Sequence, residues 1–377
     1  MPLIYLIFVE HLIYFVGAIK IMPLLYAGAV LLVLLGLLSN RTTFQVATVI
    51  LAYLAIILVS TLYGVLTNGD PAISFQEAFY YLKPLLFFML GYCFLRSELF
   101  AVLARFLFWF SLAGSLAFYL YSDTLIRVAA EHAGVTSYGY YEAFGLFSRN
   151  ISWYLSPLEF SALCMFLVFY FSTETDDRSR AKTIVSVLMI VATLSRSVLI
   201  GILVAYAVSK LKAKVATLAT AIALAGVLVA IAFAFNSFLF QFMVNEGSAS
   251  VHFENLFSSV KLISAHPFGF GIGASGYPGY ASTSLKYYFY SEGTIPTMLI
   301  EIGWTALPLL ALLGYGSFKI SSDFGCLYLG FIFASLFVPI GLSTYFICLY
   351  FLYYGMKLRG LQQLPDSIPA NHSLAVG

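Results

Sequence analysis

SVHFENLFSSVKLISAHPFGFGIGASGYPGYASTSLKYYFYSEGTIPTMLIEIGW, residues 250–304, differs in kind from the chain around it. On both sides the sequence is apolar in runs long enough to cross a bilayer. Here polar and ionisable groups come first, a Gly-rich run follows from Phe268 to Gly279, and then a Tyr-rich one. The stretch then climbs into another apolar run past Glu292 and Glu301. Lipid offers no partner to a backbone N–H or C=O, so irregular backbone in a membrane protein stands in water or lines a cavity. The chemistry is expected here.

The composition supports that frame. Of 377 residues 61% are hydrophobic and 10% charged, against roughly a quarter charged in a soluble domain. Mean hydropathy is +0.94. This composition selects an integral membrane protein with many helices. A net charge of +2 leaves no nucleic-acid footprint. Cys93, Cys164, Cys326 and Cys348 all fall inside apolar runs, which excludes loop disulfides and a Cys-based metal site. Met1 to Phe8 has no basic leader and no small-residue cleavage site after it, so the first helix is expected to stay.

A spanning helix needs about 20 apolar residues. Such runs lie near 3–20, 22–38, 44–66, 80–95, 101–121, 156–172, 183–195, 197–209, 214–235, 294–318, 324–338 and 341–357. The pattern predicts an all-α polytopic membrane protein of about twelve transmembrane helices. Residues 1–360 form a single transmembrane domain, and 361–377 a polar, Pro-containing cytoplasmic tail. Residues 183–209 admit one helix centred on Arg196 or two short ones. Arg178, Arg180 and Lys182 precede this run and Lys210, Lys212 and Lys214 follow it. Basic loops stay in the cytoplasm, so two crossings that turn at Ser195-Arg196 are expected. The same rule places Arg41, Arg96, Lys319, Lys357 and Arg359 inside.

That orientation leaves two large periplasmic loops, 122–155 and 236–293. Loops of this length are usually functional or disordered, and these are too rich in Tyr, Phe and Trp for disorder. They hold Arg127, His132, Glu142, Arg149, His252, Glu254, Lys261, His266, Lys286 and Glu292. His252 and His266 stand 14 residues apart on loop sequence, a poor metal-ligand spacing.

Arg196, in TLSRSV, sits between two apolar runs. An arginine at that depth is costly unless it meets a wet cavity or an anion. A phosphate-binding role competes with a structural ion pair or snorkelling. Arg149, in FGLFSRNISWYLSP, precedes a span and serves either as a substrate cation or as an interfacial anchor. His252 is a candidate base or donor at the opening of the second loop. The Gly-rich run permits close backbone approach, to a ligand or simply within a loop. Burial can tune a carboxylate as a base. Glu292, at the head of the tenth span and at the water boundary, is the catalytic candidate. Glu301, nine residues on, falls on the opposite side of that helix and reads as a buried support. Glu10 and His11 read as a packed polar pair.

These residues resemble the O-antigen polymerase and O-antigen ligase family of bacterial membrane glycosyltransferases. TLSRSVLIGI is similar to its helix-Ser-Arg-helix element. SVHFENLFSSVKLISAHPFGFGIGAS is similar to its amphipathic outer-loop helix with Pro and a Gly-rich turn, and SEGTIPTMLIEIGWTALPLL to the Glu-x-Gly opening of its tenth span. There are two departures. The ligases have a His-Asn pair where this chain has Glu292-Gly293, which points to the polymerase side. Many members also carry an arginine where His252 stands.

The resemblance implies a GT-C-like arrangement in the bacterial inner membrane, with the active site facing the periplasm. It implies polymerisation of undecaprenyl-diphosphate-linked oligosaccharide repeat units without cofactor or metal. Arg196 and Arg149 would bind the diphosphate, and Glu292 or His252 would take a proton. Arg127, Glu142, Lys261 and Glu301 would support them. A polysaccharide co-polymerase (chain-length regulator) and a flippase would be partners. A ligase that transfers polymer to lipid A–core, or a flippase for the lipid-linked sugar, are the alternatives.

Overall fold

The structure is a computed structural model that describes residues 2, 4–9, 22–38, 44–133, 142–143, 147–154, 156–174, 177–210, 248–275, 289, 291, 293–337 and 343–362. In chain order the helices are α1 (Met22–Leu38), α2 (Phe44–Asn68), α3 (Pro71–Phe94), α4 (Ser97–Ala133), α5 (Pro157–Ser172), α6 (Asp177–Thr193), α7 (Arg196–Lys210) and α8 (Ser248–Ala265). Then come α9 (Thr294–Ile302), a 3₁₀ turn (Gly303–Thr305), α10 (Ala306–Ile320), α11 (Ser322–Ser335) and α12 (Thr344–Gln362). One antiparallel pair, β1 (Glu142–Ala143) with β2 (Phe147–Ser148), interrupts them.

Local chemistry sets several of the starts. Asp70 accepts from Ala72 N at 3.0 Å and Ile73 N at 3.2 Å, with Pro71 opening α3. Ser156 accepts from Glu159 N at 3.3 Å, with Pro157 opening α5. Ser321 accepts from Phe324 N at 3.1 Å. Each cap satisfies an orphan N–H of the first turn, and proline loses nothing at a position where its missing N–H would have no partner.

Three helices among the described residues are long and apolar enough to cross a membrane: Val46–Asn68, Ser97–Val128 and Thr294–Ile320 taken through its break. Tyr26–Gly36, Pro157–Ser172, Arg196–Ser209 and Ser322–Ser335 are apolar but shorter. Leu51, Leu58, Val59, Leu66 and Leu120 lie on exposed faces, an apolar exterior suited to lipid. Among the described residues the chain is thus almost wholly α-helical, and of membrane character. Twelve spans go further than these helices do, because several are shorter than the bilayer core. Residues 214–235, most of 3–20 with Glu10 and His11, and 363–377 lie outside the described residues.

One expectation is corrected, that of the tenth segment. The fifth loses helical geometry at Tyr121 (φ −133°, ψ 30°), where its expected span ends, and helix resumes beyond the kink as far as Ala133. Beyond the bend it is amphipathic: Leu125 and Ile126 pack with Phe118 and Ile151, while Arg127 is exposed. The tenth segment is not one helix, for it breaks at Gly303 (φ 62°). By contrast, 183–209 is a pair of helices, as the basic clusters predict, joined at Leu194-Ser195.

The core holds α3 and α12 in parallel contact, with Lys83 Nζ donating to Thr344 Oγ1 and Gly91 set against Leu352. A Cβ at Gly91 would lie 2.2 Å from Leu352 O, and one at Gly355 would lie 2.1 Å from Phe88 O. Helices in apolar surroundings gain mainly from such close approach. Gly91→Leu must push backbone aside, so a loss of about 3 kcal/mol is expected, the upper end for overpacking. Thermal unfolding in detergent checks it; an unchanged midpoint would mean the two helices stand further apart.

Candidate functional site

Residues 149–154 form a turn docked on α4. Asn150 Nδ2 donates to Ser115 O at 3.2 Å and Ser115 Oγ at 2.7 Å, and Asn150 Oδ1 accepts from Ser152 N at 2.9 Å. Ser152 Oγ donates to Ser111 O at 3.2 Å, and Tyr154 and Ser111 share a hydroxyl pair at 2.9 Å. The Asx turn holds Ser152 at φ 50°. Gly114 makes room, because a Cβ there would lie 2.2 Å from Ser152 Oγ. All of this fixes the backbone that carries Arg149, which is partly buried.

A second turn carries Arg196. Thr193 Oγ1 donates to Ile190 O at 2.6 Å and accepts from Ser195 N at 3.2 Å. Leu194 sits at φ 53°, uncommon for a bulky side chain and of the kind that collects at functional sites. Arg196, partly buried, is the first residue of α7.

The two turns meet. Asn150 N donates to Ala192 O at 3.0 Å, which ties the Arg149 turn to the end of α6. Glu142 comes to the same corner, since it pairs with Ser148, the neighbour of Arg149. Arg149 thus stands next to a residue bonded to Ala192, four residues before Arg196 at the start of α7. Guanidinium groups and the positive end of a helix are the donor types that suit a diphosphate.

The Gly-rich run belongs to other contacts. Phe270 N donates to Ile300 O and Gly271 N to Glu301 O, both at 2.9 Å, and Trp304 N donates to Pro267 O at 2.8 Å. These bonds take the place of helical ones and break the tenth segment at Gly303. Ile272 N donates to Ser60 O at 3.0 Å and Thr67 Oγ1 to Phe270 O at 2.8 Å, so the loop also clasps α2. Gly269, Gly271 and Gly273 have φ of 74°, 87° and 98°, which explains their alternation. The close approach that these glycines permit is to helix backbone: a Cβ at Gly271 would lie 2.3 Å from Gly64 Cα.

Glu301 closes this loop. Its Oε1 accepts from Gly273 N at 2.9 Å and Ser275 N at 3.4 Å, and its Oε2 accepts from Tyr81 OH at 2.6 Å. It is fully buried.

Arg127 and Lys261 are exposed, on α4 and α8. His252 lies on α8, its side chain outside the described residues, and Glu292 lies wholly outside them just before α9. The structure therefore brings the backbone turns of Arg149 and Arg196 and the strand of Glu142 to one corner, and sets Glu301 against the Gly-rich loop. The sequence places Asn150 beside Arg149 but shows neither its turn nor the Ser111–Ser115 face of α4 that it binds. Sequence reasoning also passed over two buried ionisable groups, Glu77 and Lys83, and the partly buried Glu159. Their signal was a charge inside an apolar run, the same signal that singled out Arg196.

No protein-family model, curated protein or solved structure matches the chain.

Proposed function

We propose that this protein is a membrane glycosyltransferase of the O-antigen polymerase kind, joining undecaprenyl-diphosphate-linked repeat units. The observation that carries the reading is the Asn150–Ala192 hydrogen bond, which sets the Arg149 and Arg196 turns side by side. About twelve spans in a GT-C-like arrangement, a bacterial inner membrane and a periplasmic active face belong to the same proposal. So do a co-polymerase and a flippase as partners.

In the reaction, a sugar hydroxyl of one lipid-linked unit attacks C1 of the growing chain on another. The C1–O bond to diphosphate breaks, and the lipid diphosphate leaves with the electron pair. Arg149 and Arg196 stabilise that charge, the kind of preorganised electrostatics that dominates such catalysis. His252 or Glu292 takes the hydroxyl proton.

Purified protein with synthetic lipid-diphosphate repeat units and no other enzyme is expected to give a ladder on a gel. If folded protein and native substrate give no ladder, polymerisation is ruled out; the next acceptor to try is lipid A–core, for the ligase. A second reading, transport of the lipid-linked unit, is favoured by the helix broken at Gly303 beside a buried carboxylate, since transporters bind at such breaks. Cells separate them: loss of a polymerase leaves one repeat unit on core, whereas loss of a flippase leaves units undelivered.

A further inference from the structure

The arginine corner leaves a second group of ionisable side chains unused. Ser74, Glu77 and Tyr81 follow at spacings of three and four residues, so they share one face of α3. That face meets the Gly-rich loop and α9. A Cβ at Gly273 would lie 3.0 Å from Ser74 Oγ, and Tyr81 donates to Glu301. Glu77 is 2% exposed, Ser74 and Ser275 0%. Glu77 Oε1, Ser74 Oγ and Ser275 Oγ are buried oxygens without a hydrogen-bond partner. Buried polar atoms are nearly always satisfied, so these three orphaned oxygens, one on Glu77 and two on hydroxyls of α3 and the adjoining Gly-rich loop, call for a partner.

The charges say what kind. Among the described residues, Glu301 and Lys83 are the charged groups in electrostatic reach of Glu77. Lys83, 8% exposed, donates to Thr344 at 3.3 Å, lies 4.2 Å from the Tyr80 ring centre and has Glu159 as its other anionic neighbour. Glu159 accepts from Ser343 Oγ, Thr344 N and Tyr345 N at 2.6, 3.1 and 3.4 Å, so the N-terminus of α12 already answers its charge. One ammonium then stands against the two carboxylates of Glu77 and Glu301. Burying the remaining negative charge without a counter-charge is strongly unfavourable.

We propose that Ser74, Glu77 and Ser275, beside Glu301, hold one small hard monovalent cation, a sodium ion or a proton in its place. Oxygen donors alone suit a hard cation, and one residual negative charge matches one positive. The bound ion ties α3 to the Gly-rich loop. Its titratable surroundings are Tyr80, Tyr81 and Lys83 on α3, Glu301 on α9, Tyr53 of α2 through Tyr81, and Glu159 of α5 through Lys83. The site does not depend on the sugar-transfer reading.

The test is thermal unfolding of the full chain in detergent, with sodium chloride exchanged for choline chloride at constant ionic strength, at pH 6 and 8. Sodium is expected to raise the midpoint by a few degrees, saturably and more at pH 8, as binding to the folded state requires. Glu77→Gln, eluting as the same single peak, is expected to lose that rise. A wild type indifferent to sodium, with a pH response that Glu77→Gln removes, identifies the ion as a proton. A sodium response that survives Glu77→Gln overturns the proposal, as does a wild type indifferent to sodium whose pH response Glu77→Gln leaves unchanged. If Glu77→Gln does not fold, Ser74→Ala decides: affinity about tenfold weaker for the responding ion supports the site, and unchanged affinity overturns it.

Discussion

Arg196→Ala is expected to cut polymer formation by about a hundredfold or more while leaving the protein folded and inserted. Loss of one preorganised donor to a developing anion costs roughly 10²–10³ in rate, and a guanidinium on diphosphate is such a donor. The fold does not need the side chain for its turn, since Thr193, Leu194 and Ser195 close it through their own hydroxyl and backbone bonds. Arg196→Lys restores the charge without the planar fork and is expected to recover activity only in part. Arg149→Ala should behave like Arg196→Ala. Because the Asn150–Ala192 bond sets both turns at one corner, the double variant is expected to lose less than the product of the two single losses. Gel analysis of the polymer ladder, with gel filtration as the folding control, checks all three. An unchanged ladder in Arg196→Ala would end the diphosphate assignment.

What the sequence made legible was whatever is local. Apolar runs marked the helices, and the basic residues on both sides of 183–209 distinguished a helix pair from one long helix. The position of Glu301, inside the tenth apolar run and on the side opposite Glu292, marked it as buried, and it is. Long-range contacts were hidden. The break at Gly303 is made by Pro267, Phe270 and Gly271, whose partners lie some thirty residues on, and no local rule announces it. The continuation of α4 past Tyr121 rests on Leu125 and Ile126 meeting Ile151. The group around Glu77 spans α3, α5, α9 and α12, and only the packing of those helices gathers it. A charge in an apolar run signals expense; which other charge answers it is a property of the fold.

Glu301→Ala is expected to destabilise the protein by about 4 kcal/mol and to open the Gly-rich loop. Two effects of opposite sign meet at this residue. Truncation orphans Gly273 N, Ser275 N and Tyr81 OH, each buried and each worth about 1–3 kcal/mol when left unpaired. Truncation also removes a like charge from beside Glu77, which is a gain. The orphans are three and the relieved repulsion is one, with Lys83 already offsetting it, so loss wins. Glu301→Gln separates the two effects. It relieves the same repulsion and keeps one acceptor oxygen, but turns an NH₂ toward one set of donors, so roughly half the loss is expected. Unfolding in detergent gives the energies, and hydrogen exchange over 267–275 localises them, since Gly271 and Ile272 owe their protection to loop bonds on Glu301 O and Ser60 O. Faster exchange there in Glu301→Ala, with the α5–α6 peptides unchanged, is the signature of a support. If the loop stays protected and only sugar transfer falls, Glu301 is acting on substrate and its role as the anchor of the loop is lost.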